Sequence, residues 1–152
     1  MTFDDGPTRY TGELLKILRK NNVKATFFVV CSENEQYWRY YDEIVAEGHS
    51  LGMHSYSHVY DDVYESLESF ENDVKQIHDF LYDETGVDCK LCRFPGGSSN
   101  SVSNVDILDM IEYLDKEGIT YYDWNVSSGD ATTQAFTADE LVENVMKDVV
   151  KY

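Results

Sequence analysis

The sequence predicts an α/β fold in which parallel strands alternate with helices along one chain. Short β-branched and aromatic runs alternate with longer segments whose apolar residues recur every three or four positions, and no linker or repeat interrupts them. At 152 residues the chain is long enough for one domain with its own core. It supplies about five βα units, whereas a complete eight-fold barrel needs about 250 residues. The residues therefore leave two architectures open, an open sheet or a barrel that needs further material at both ends.

The N-terminal half is predicted to hold three strands and two helices. In chain order they are a strand at 1–3, a helix at 11–21, a strand at 24–30, a helix at 35–47 and a strand around 49–53. Leu14, Leu15 and Leu18 lie on one face of the first helix, and Gly48 ends the second helix.

The C-terminal half is predicted to hold three helices and two strands. In chain order they are a helix at 66–85, a strand at 88–94, a helix at 105–117, a strand at 119–126 and a helix that opens at 137. The helix at 105–117 is expected to turn Leu108, Ile111 and Leu114 inward. Thr137 and Glu140 have the spacing of a capping box, which marks the start of the last helix.

The charge of the chain excludes two classes of partner. Twelve Lys and Arg residues against 29 Asp and Glu give a formal net charge of −17, which repels phosphate backbones and anionic headgroups. No apolar run approaches the roughly 18 residues of a spanning helix. We therefore expect no nucleic-acid binding and no stable membrane insertion. The three cysteines form no disulfide framework, and the oligomeric state stays open.

Two of the predicted strand-end loops hold side chains that can ligate a metal. Asp4 and Asp5 follow the first strand, where one carboxylate can bind a metal while the other reaches a nucleophile; taken alone, the pair is more typical of a solvated turn. His54 and His58 are four residues apart, so they would share one face of a helical turn and could bind one ion. Two histidines and one carboxylate that leave positions open to water indicate a catalytic metal.

Two further loops hold groups that could contact a substrate. Arg93 precedes Pro95 and Gly96, so the backbone there can approach a bound molecule and offer an N–H group to an oxyanion while the guanidinium holds a carboxylate. An ordinary polar turn is an equal alternative. In the last loop, Trp124 is either a core residue or a sugar platform, and Asp130 is either functional or part of a turn.

Taken together, these segments resemble the polysaccharide deacetylase family with the NodB-homology domain, also called carbohydrate esterase family four. The segments are Thr2-Phe3-Asp4-Asp5-Gly6-Pro7, His54-Ser55-x-x-His58, Arg93-x-Pro95 and the stretch 124–130. The resemblance covers essentially the whole chain. It implies a distorted (β/α) barrel with fewer than eight strands, truncated at both ends, and one catalytic domain over residues 1–152.

The resemblance also implies a role for each candidate residue. The implied metal ligands are Asp5, His54 and His58. Asp4 is implied to be the general base, and Arg93 the residue that orients it. Gly96 is implied to donate its backbone N–H to the oxyanion, and Asp130 to tune a general-acid histidine. Pro95 and Trp124 are expected to contact substrate, and Ser55 to brace the histidine loop. An ion pair is expected between Arg93 and Asp4 rather than Asp5.

The activity implied by the resemblance is metal-dependent hydrolysis. The chain is expected to remove N-acetyl groups from N-acetylhexosamine units of an acetylated polysaccharide, in the first place peptidoglycan or a chitin-like glycan. The expected ion is Zn²⁺, with Co²⁺ or Ni²⁺ as alternatives. Two other functions stay open: an O-acetyl esterase that acts on xylan-type polymers through the same metal site, and a non-catalytic glycan-binding relative.

The chain departs from the family pattern in two places. The fifth motif, a Leu-His-Asp-like segment that supplies the general-acid histidine, is absent, and the first strand is cut to residues 1–3. We interpret both departures as truncation, so residues 1–152 are expected to be an incomplete catalytic domain. Its parent is expected to act outside the cell or at the cell surface. The segment by itself is expected to be poorly soluble and weakly active, since a positioned acid contributes about 10²- to 10⁴-fold.

Overall fold

Five parallel strands form one sheet in the order β1-β2-β3-β4-β5 in the computed structural model, which describes residues 1–150. The strands are β1 Thr2–Gly6, β2 Thr26–Val30, β3 Ser50–Ser55, β4 Leu91–Cys92 and β5 Thr120–Tyr121. The helices are α1 Thr11–Asn21, α2 Arg39–Ala46, α3 Tyr60–Val63, α4 Leu67–Thr85, α5 Ile107–Lys116 and α6 Ala138–Val149. The predicted α/β class with fewer than eight parallel strands is confirmed, and β1 and β5 are the edges of the described sheet.

The chain divides into two compact units, Met1–Tyr122 and Asp123–Tyr152, called here the sheet unit and the C-terminal unit. The sheet unit contains all five strands and the whole buried hydrophobic cluster. The C-terminal unit contains α6, which opens at the predicted capping box: the Thr137 backbone N–H donates to Glu140 at 2.8 Å, and the Glu140 N–H donates to the Thr137 hydroxyl at 3.3 Å. None of the helices within residues 1–150 is both long and apolar enough to span a membrane.

Helix α4 covers the sheet and begins and ends for reasons that are visible in the sequence. The Ser66 side chain accepts a hydrogen bond from the Ser69 N–H at 3.1 Å, and Gly86 ends the helix with a φ of +70°. Apolar residues three or four positions apart form its buried face, which contains Phe70, Val74, Ile77 and Leu81. This packing holds α4 against β3, which leads to the candidate site.

Four predictions about the elements need correction. β4 and β5 are two residues long rather than seven and eight, because after Cys92 and Tyr121 the chain leaves the ladder to enter loops. The predicted helix at 35–47 is a 3₁₀ turn followed by α2. Leu108 is 67% exposed rather than inward, because α5 starts after Asp106 and turns Met110 and Leu114, four residues apart, into the core.

Candidate active site

A bulge in β1 separates the two consecutive carboxylates. Asp4 pairs with Phe28 in the ladder and Gly6 pairs with Val29, so Asp5 is skipped. Asp5 has a φ of +63°, in the left-handed region that non-glycine residues rarely adopt. The bulge lets the two neighbouring side chains reach different partners.

Asp5 meets both histidines. Its Oδ1 lies 3.1 Å from His54 Nε2 and 3.2 Å from His58 Nε2. One ligand atom from each of the three residues lies within 4.8 Å of the others, and within residues 1–150 this is the only group of His, Cys, Asp or Glu that meets this criterion with three members. His54 is buried, His58 is half-buried and Asp5 is largely exposed, so the group opens to solvent on one side.

The hydrogen bond on the far side of His54 shows that a cation fits this group. His54 Nδ1 lies 2.7 Å from the backbone carbonyl oxygen of Arg93, which can only accept, so Nδ1 carries a proton. A neutral His54 therefore turns the lone pair of Nε2 toward the Asp5 carboxylate. That contact requires a positive charge between the two atoms, either a proton or a metal ion. Two imidazole nitrogens and one carboxylate oxygen suit Zn²⁺ and related divalent ions.

The same contacts shift two pKa values. Hydrogen bonds from His54 and then from His58 hold the pKa of Asp5 far below its usual range, although burial opposes them. The hydrogen bond to Asp5 raises the pKa of His58, again against burial. Asp5 is therefore a carboxylate at neutral pH, which is the state that can bind a cation.

The two histidines do not share a helical turn, so the geometric reason predicted from their spacing is wrong. His54 is still within β3, while His58 has a φ of +55° and α3 begins only at Tyr60. The intervening residues bend instead of coiling. His58 reaches the site because its N–H donates to the Ser55 hydroxyl at 2.8 Å, which is the contact expected of a bracing Ser55.

A buried carboxylate on α4, Asp73, holds this loop and was missed in the sequence. Asp73 Oδ2 accepts from the Ser55 hydroxyl at 2.8 Å and from the Tyr56 N–H at 2.9 Å. Asp73 Oδ1 accepts from the Ser57 N–H at 3.0 Å and from its hydroxyl at 3.1 Å. The available signal was an acidic residue one position before Val74, on the apolar face of α4, where a carboxylate is stable only if it is fully hydrogen-bonded.

Arg93 joins β1 to the end of β4. The side chain is buried, and Nη1 lies 2.9 Å from Asp4 Oδ1 and 2.7 Å from Thr2 Oγ1. Its Nε donates to the Tyr122 carbonyl at 3.1 Å, and the guanidinium stacks on Phe28 with 4.2 Å to the ring centroid. The ion pair with Asp4 expected from the sequence is present, and these contacts fix the Asp4 carboxylate next to the group formed by Asp5 and the two histidines.

The remaining predicted residues fall into two sets. In the sheet unit, the carbonyl of Pro95 accepts from the buried Tyr64 hydroxyl at 2.7 Å, and Gly96 has a φ of +76° that favours glycine. In the C-terminal unit, Trp124 is 44% exposed, and Asp130 accepts a hydrogen bond from the Ser128 hydroxyl. The structure thus brings together Asp4, Asp5, His54, His58 and Arg93. The roles of Pro95, Gly96, Trp124 and Asp130 stay predictions.

Known proteins identify the family to which this fold and site belong. The family model for polysaccharide deacetylases matches residues 1–118, so the chain belongs to the polysaccharide deacetylase family, as its motifs predicted. A peptidoglycan-N-acetylglucosamine deacetylase of Bacillus cereus is 30% identical over 155 residues, which cover 99% of this chain and 55% of that protein. The chain spans about half the length of the curated relatives of this kind that it matches.

Solved structures agree with the family assignment. The catalytic domain of a peptidoglycan N-acetylglucosamine deacetylase from Eubacterium rectale matches with a TM-score of 0.95 and 40% identity, covering 99% of this chain and 70% of that one. A CE4 esterase from Streptococcus mutans matches with a TM-score of 0.85 and 30% identity, covering 97% and 65% of the two chains. These matches confirm the predicted fold class.

Proposed function

We propose that this chain is the catalytic part of a metal-dependent hydrolase that removes N-acetyl groups from N-acetylhexosamine units of peptidoglycan or a chitin-like glycan. The observation that carries the proposal is the group formed by Asp5, His54 and His58, with Asp4 held beside it by Arg93. The substrate class is supported by the names of relatives, which include peptidoglycan-N-acetylglucosamine deacetylases and a chitin deacetylase from Pestalotiopsis.

Asp5, His54 and His58 would hold the metal ion, for which Zn²⁺ is our first choice and Co²⁺ or Ni²⁺ are alternatives. When bound, such an ion lowers the pKa of a coordinated water toward 7 and polarises a carbonyl. The Arg93 carbonyl orients His54 for this role because it fixes the proton on Nδ1.

The remaining residues would carry the proton and the developing charge. Asp4 takes a proton from the attacking water as its oxygen bonds to the acetyl carbon, and Arg93 keeps the carboxylate aimed. The backbone N–H of Gly96 would donate to the carbonyl oxygen as that oxygen becomes negative. The C–N bond then breaks, the amine takes up a proton, and acetate leaves. Pro95 and Trp124 would contact the substrate, and Asp130 would tune a general-acid histidine supplied by the parent protein outside residues 1–152.

The proton for the leaving amine has no assigned donor in this chain. Of the four histidines, His54 and His58 are candidate ligands. His49 is buried beside Phe27, and His78 pairs with Asp79 and Asp88 on the outer side of α4. Water would then serve as the donor in residues 1–152, at the cost of the roughly 10²- to 10⁴-fold that a positioned acid contributes.

A second candidate is an O-acetyl esterase that acts on xylan-type polymers, and it is supported by the name of one structural neighbour, a CE4 esterase from Streptococcus mutans. An alkoxide leaves more readily than an amine anion, so ester cleavage needs a proton donor less. The metal site, the base and the oxyanion donor would be the same in both reactions.

The place of action follows from the proposed substrate. Acetylated polysaccharides of this kind belong to cell walls and extracellular material, so we propose that the parent protein acts outside the cell or at its surface. Its partner is the acetylated glycan. The net charge of −17 supports a neutral or cationic glycan over a nucleic acid.

The test compares acetate release from an N-acetylglucosamine pentamer, a peptidoglycan glycan and acetyl-xylan with Zn²⁺ added. Asp4→Asn should abolish release while Zn²⁺ still binds, and Asp5→Ala should abolish both. His78→Ala is the matched control, because it removes a histidine paired with two acidic residues outside the site. Release from acetyl-xylan alone would select the esterase. Glycan binding without release from any polymer would select a non-catalytic relative.

A further inference from the structure

The short helix α3 follows the histidine loop in the chain and packs against the loop that holds Gly96. It begins directly after His58 and Val59; Tyr60 is its first residue, and Tyr64, four positions later, is the C-cap residue that ends it. Tyr64 is buried and donates its hydroxyl to the Pro95 carbonyl. The Tyr60 ring meets the edge of the Tyr64 ring, with 6.0 Å between the ring centroids.

Tyr60 also lies close to two parts of the candidate site, the histidine loop and the loop that holds Gly96. Its ring contacts His58 edge-on, with 5.5 Å between the centroids. A Cβ built on Gly96 would lie 3.3 Å from both Tyr60 Cε2 and the Tyr60 hydroxyl oxygen, which is tighter than an ordinary contact. The outer end of the Tyr60 ring therefore occupies the space into which a side chain at position 96 would project.

This arrangement places an aromatic group beside Gly96, the residue proposed as the oxyanion donor. The N–H of Gly96 lies on the atom bonded to its Cα, and a Cβ would project from that Cα. A ring on the Cβ side is therefore a neighbour of the N–H. Tyr60 is half-buried, which leaves part of the ring accessible to a ligand. A tyrosine hydroxyl can both donate and accept a hydrogen bond, so the outer end of the ring also offers a polar contact.

We propose that Tyr60 is a substrate-contacting residue that binds the sugar ring carrying the acetyl group. Its ring would face the apolar side of the sugar, and its hydroxyl would hydrogen-bond a sugar hydroxyl. Gly96 has no side chain that could contact the sugar. Tyr60, which follows β3 in the chain, provides this contact in its place. The inference rests on the proposed function, because it takes the acetyl group to enter beside Asp5, His54 and His58.

The experiment compares two substrates that differ in the sugar. Values of kcat/KM are measured with Zn²⁺ for the N-acetylglucosamine pentamer and for 4-nitrophenyl acetate, an acetyl ester without a sugar. The variants are Tyr60→Phe, which removes only the hydroxyl, and Tyr60→Ala. The matched control is Tyr82→Phe on the exposed side of α4. Zn²⁺ affinity, measured by calorimetry, reports whether each variant keeps the site intact.

We expect the ratio of pentamer to ester activity to fall about fivefold in Tyr60→Phe, the usual worth of one neutral hydrogen bond, and about 30-fold in Tyr60→Ala. The control should keep the wild-type ratio. An unchanged ratio in both Tyr60 variants would overturn the inference.

A wild-type protein that releases no acetate from the pentamer would contradict the proposed function separately. The inference is then tested on the dissociation constant of the pentamer for the Zn²⁺-loaded protein. A rise of about tenfold in Tyr60→Ala would support it. Absence of pentamer binding by the wild type, or equal binding by the variant, would overturn it.

Discussion

The sheet unit and the C-terminal unit hold their candidate residues in different ways. In the sheet unit, Arg93 reaches Asp4 across 89 residues and buried Asp73 reaches Ser55 across 18. In the C-terminal unit none of the described residues is buried, and Asp130 is held by its neighbour Ser128. Side chains are held in defined hydrogen bonds where segments that are distant in sequence pack together over a hydrophobic core. Local turns and caps shape a segment without giving it that support.

A pair of methionines tests this comparison directly. Met53 in β3 is fully buried, whereas Met146 in α6 is 56% exposed. Met53→Ala should lower the free energy of unfolding by about 2–5 kcal/mol because it leaves a cavity. Met146→Ala should change it by no more than about 0.5 kcal/mol. Urea titration of both variants measures the difference, and equal losses would mean that the two units contribute alike.

Removal of one ligand should have the largest effect on the site. His54→Ala should weaken Zn²⁺ binding more than about 100-fold, since loss of an outer-shell partner alone typically costs 10- to 100-fold. Calorimetric titration with Zn²⁺ measures this change, and His78→Ala should bind like the wild type. Unchanged affinity in His54→Ala would disprove a metal site at this position.

Arg93→Ala should separate catalysis from metal binding. It removes the partner of Asp4 but keeps the backbone carbonyl that orients His54, so kcat should fall about 100-fold while Zn²⁺ affinity stays nearly the same. Arg93→Lys retains the charge but not the paired donors of the guanidinium, so its kcat should lie between those of the wild type and Arg93→Ala. Loss of metal from Arg93→Ala would assign the side chain to the support of the ligands instead.

Asp73→Asn should loosen the histidine loop. An amide offers one accepting oxygen and turns its NH₂ group toward donors, so part of the network through Ser55, Tyr56 and Ser57 is lost. We expect Zn²⁺ affinity to fall about 10- to 100-fold and unfolding to become easier by about 1–3 kcal/mol. Asp83→Asn, on the exposed side of the same helix, is the control and should change neither value.

The smallest expected effect is a pH dependence of stability from His49. Its Nδ1 accepts the Ala25 N–H at 3.3 Å, its Nε2 has no hydrogen-bond partner within residues 1–150, and burial followed by the charge of Lys24 lowers its pKa in the folded state. The unfolded chain therefore binds more protons between that value and about 6.5, so stability falls as the pH drops through this window. Urea midpoints at pH 7.5 and 5 should differ less in His49→Gln than in the wild type. An equal difference would remove His49 as the cause.

Much of the fold was predictable because helix signals are local. Ser66 and Gly86 bound α4, and Thr137 with Glu140 opens α6, as the sequence indicates. The lengths of β4 and β5 were not predictable, because apolar residues such as Phe94 continue beyond the last ladder pair to fill the core from a loop. Leu108 shows the same limit: its spacing suits an inward face, but the cap at Asp106 sets the rotation of α5.

The candidate site was also predictable only in part, namely where the signal lies in a local sequence pattern. The spacing of His54 and His58 and the pair of acids, which were expected after the first strand and lie within β1, indicated which residues meet. The reasons they meet depend on contacts that no local pattern contains: the bulge at Asp5 and the buried carboxylate of Asp73. Tyr60 was also missed, since its position matters only because Gly96 leaves space for its ring.

The long separation between Arg93 and its partners has a consequence for the order of folding. Thr2 and Asp4 are made first, but the residue that fixes them follows 91 and 89 residues later. At ribosomal rates of about 5–20 residues per second, this interval lasts about 5–20 s. Once β2 has been made, β1 can pair with it, yet the Asp4 carboxylate still has no guanidinium to hold it. The contacts of Arg93 with Thr2 and Asp4 therefore form late in synthesis. They follow the emergence of β2, β3 and α4 and form only when β4 joins the sheet.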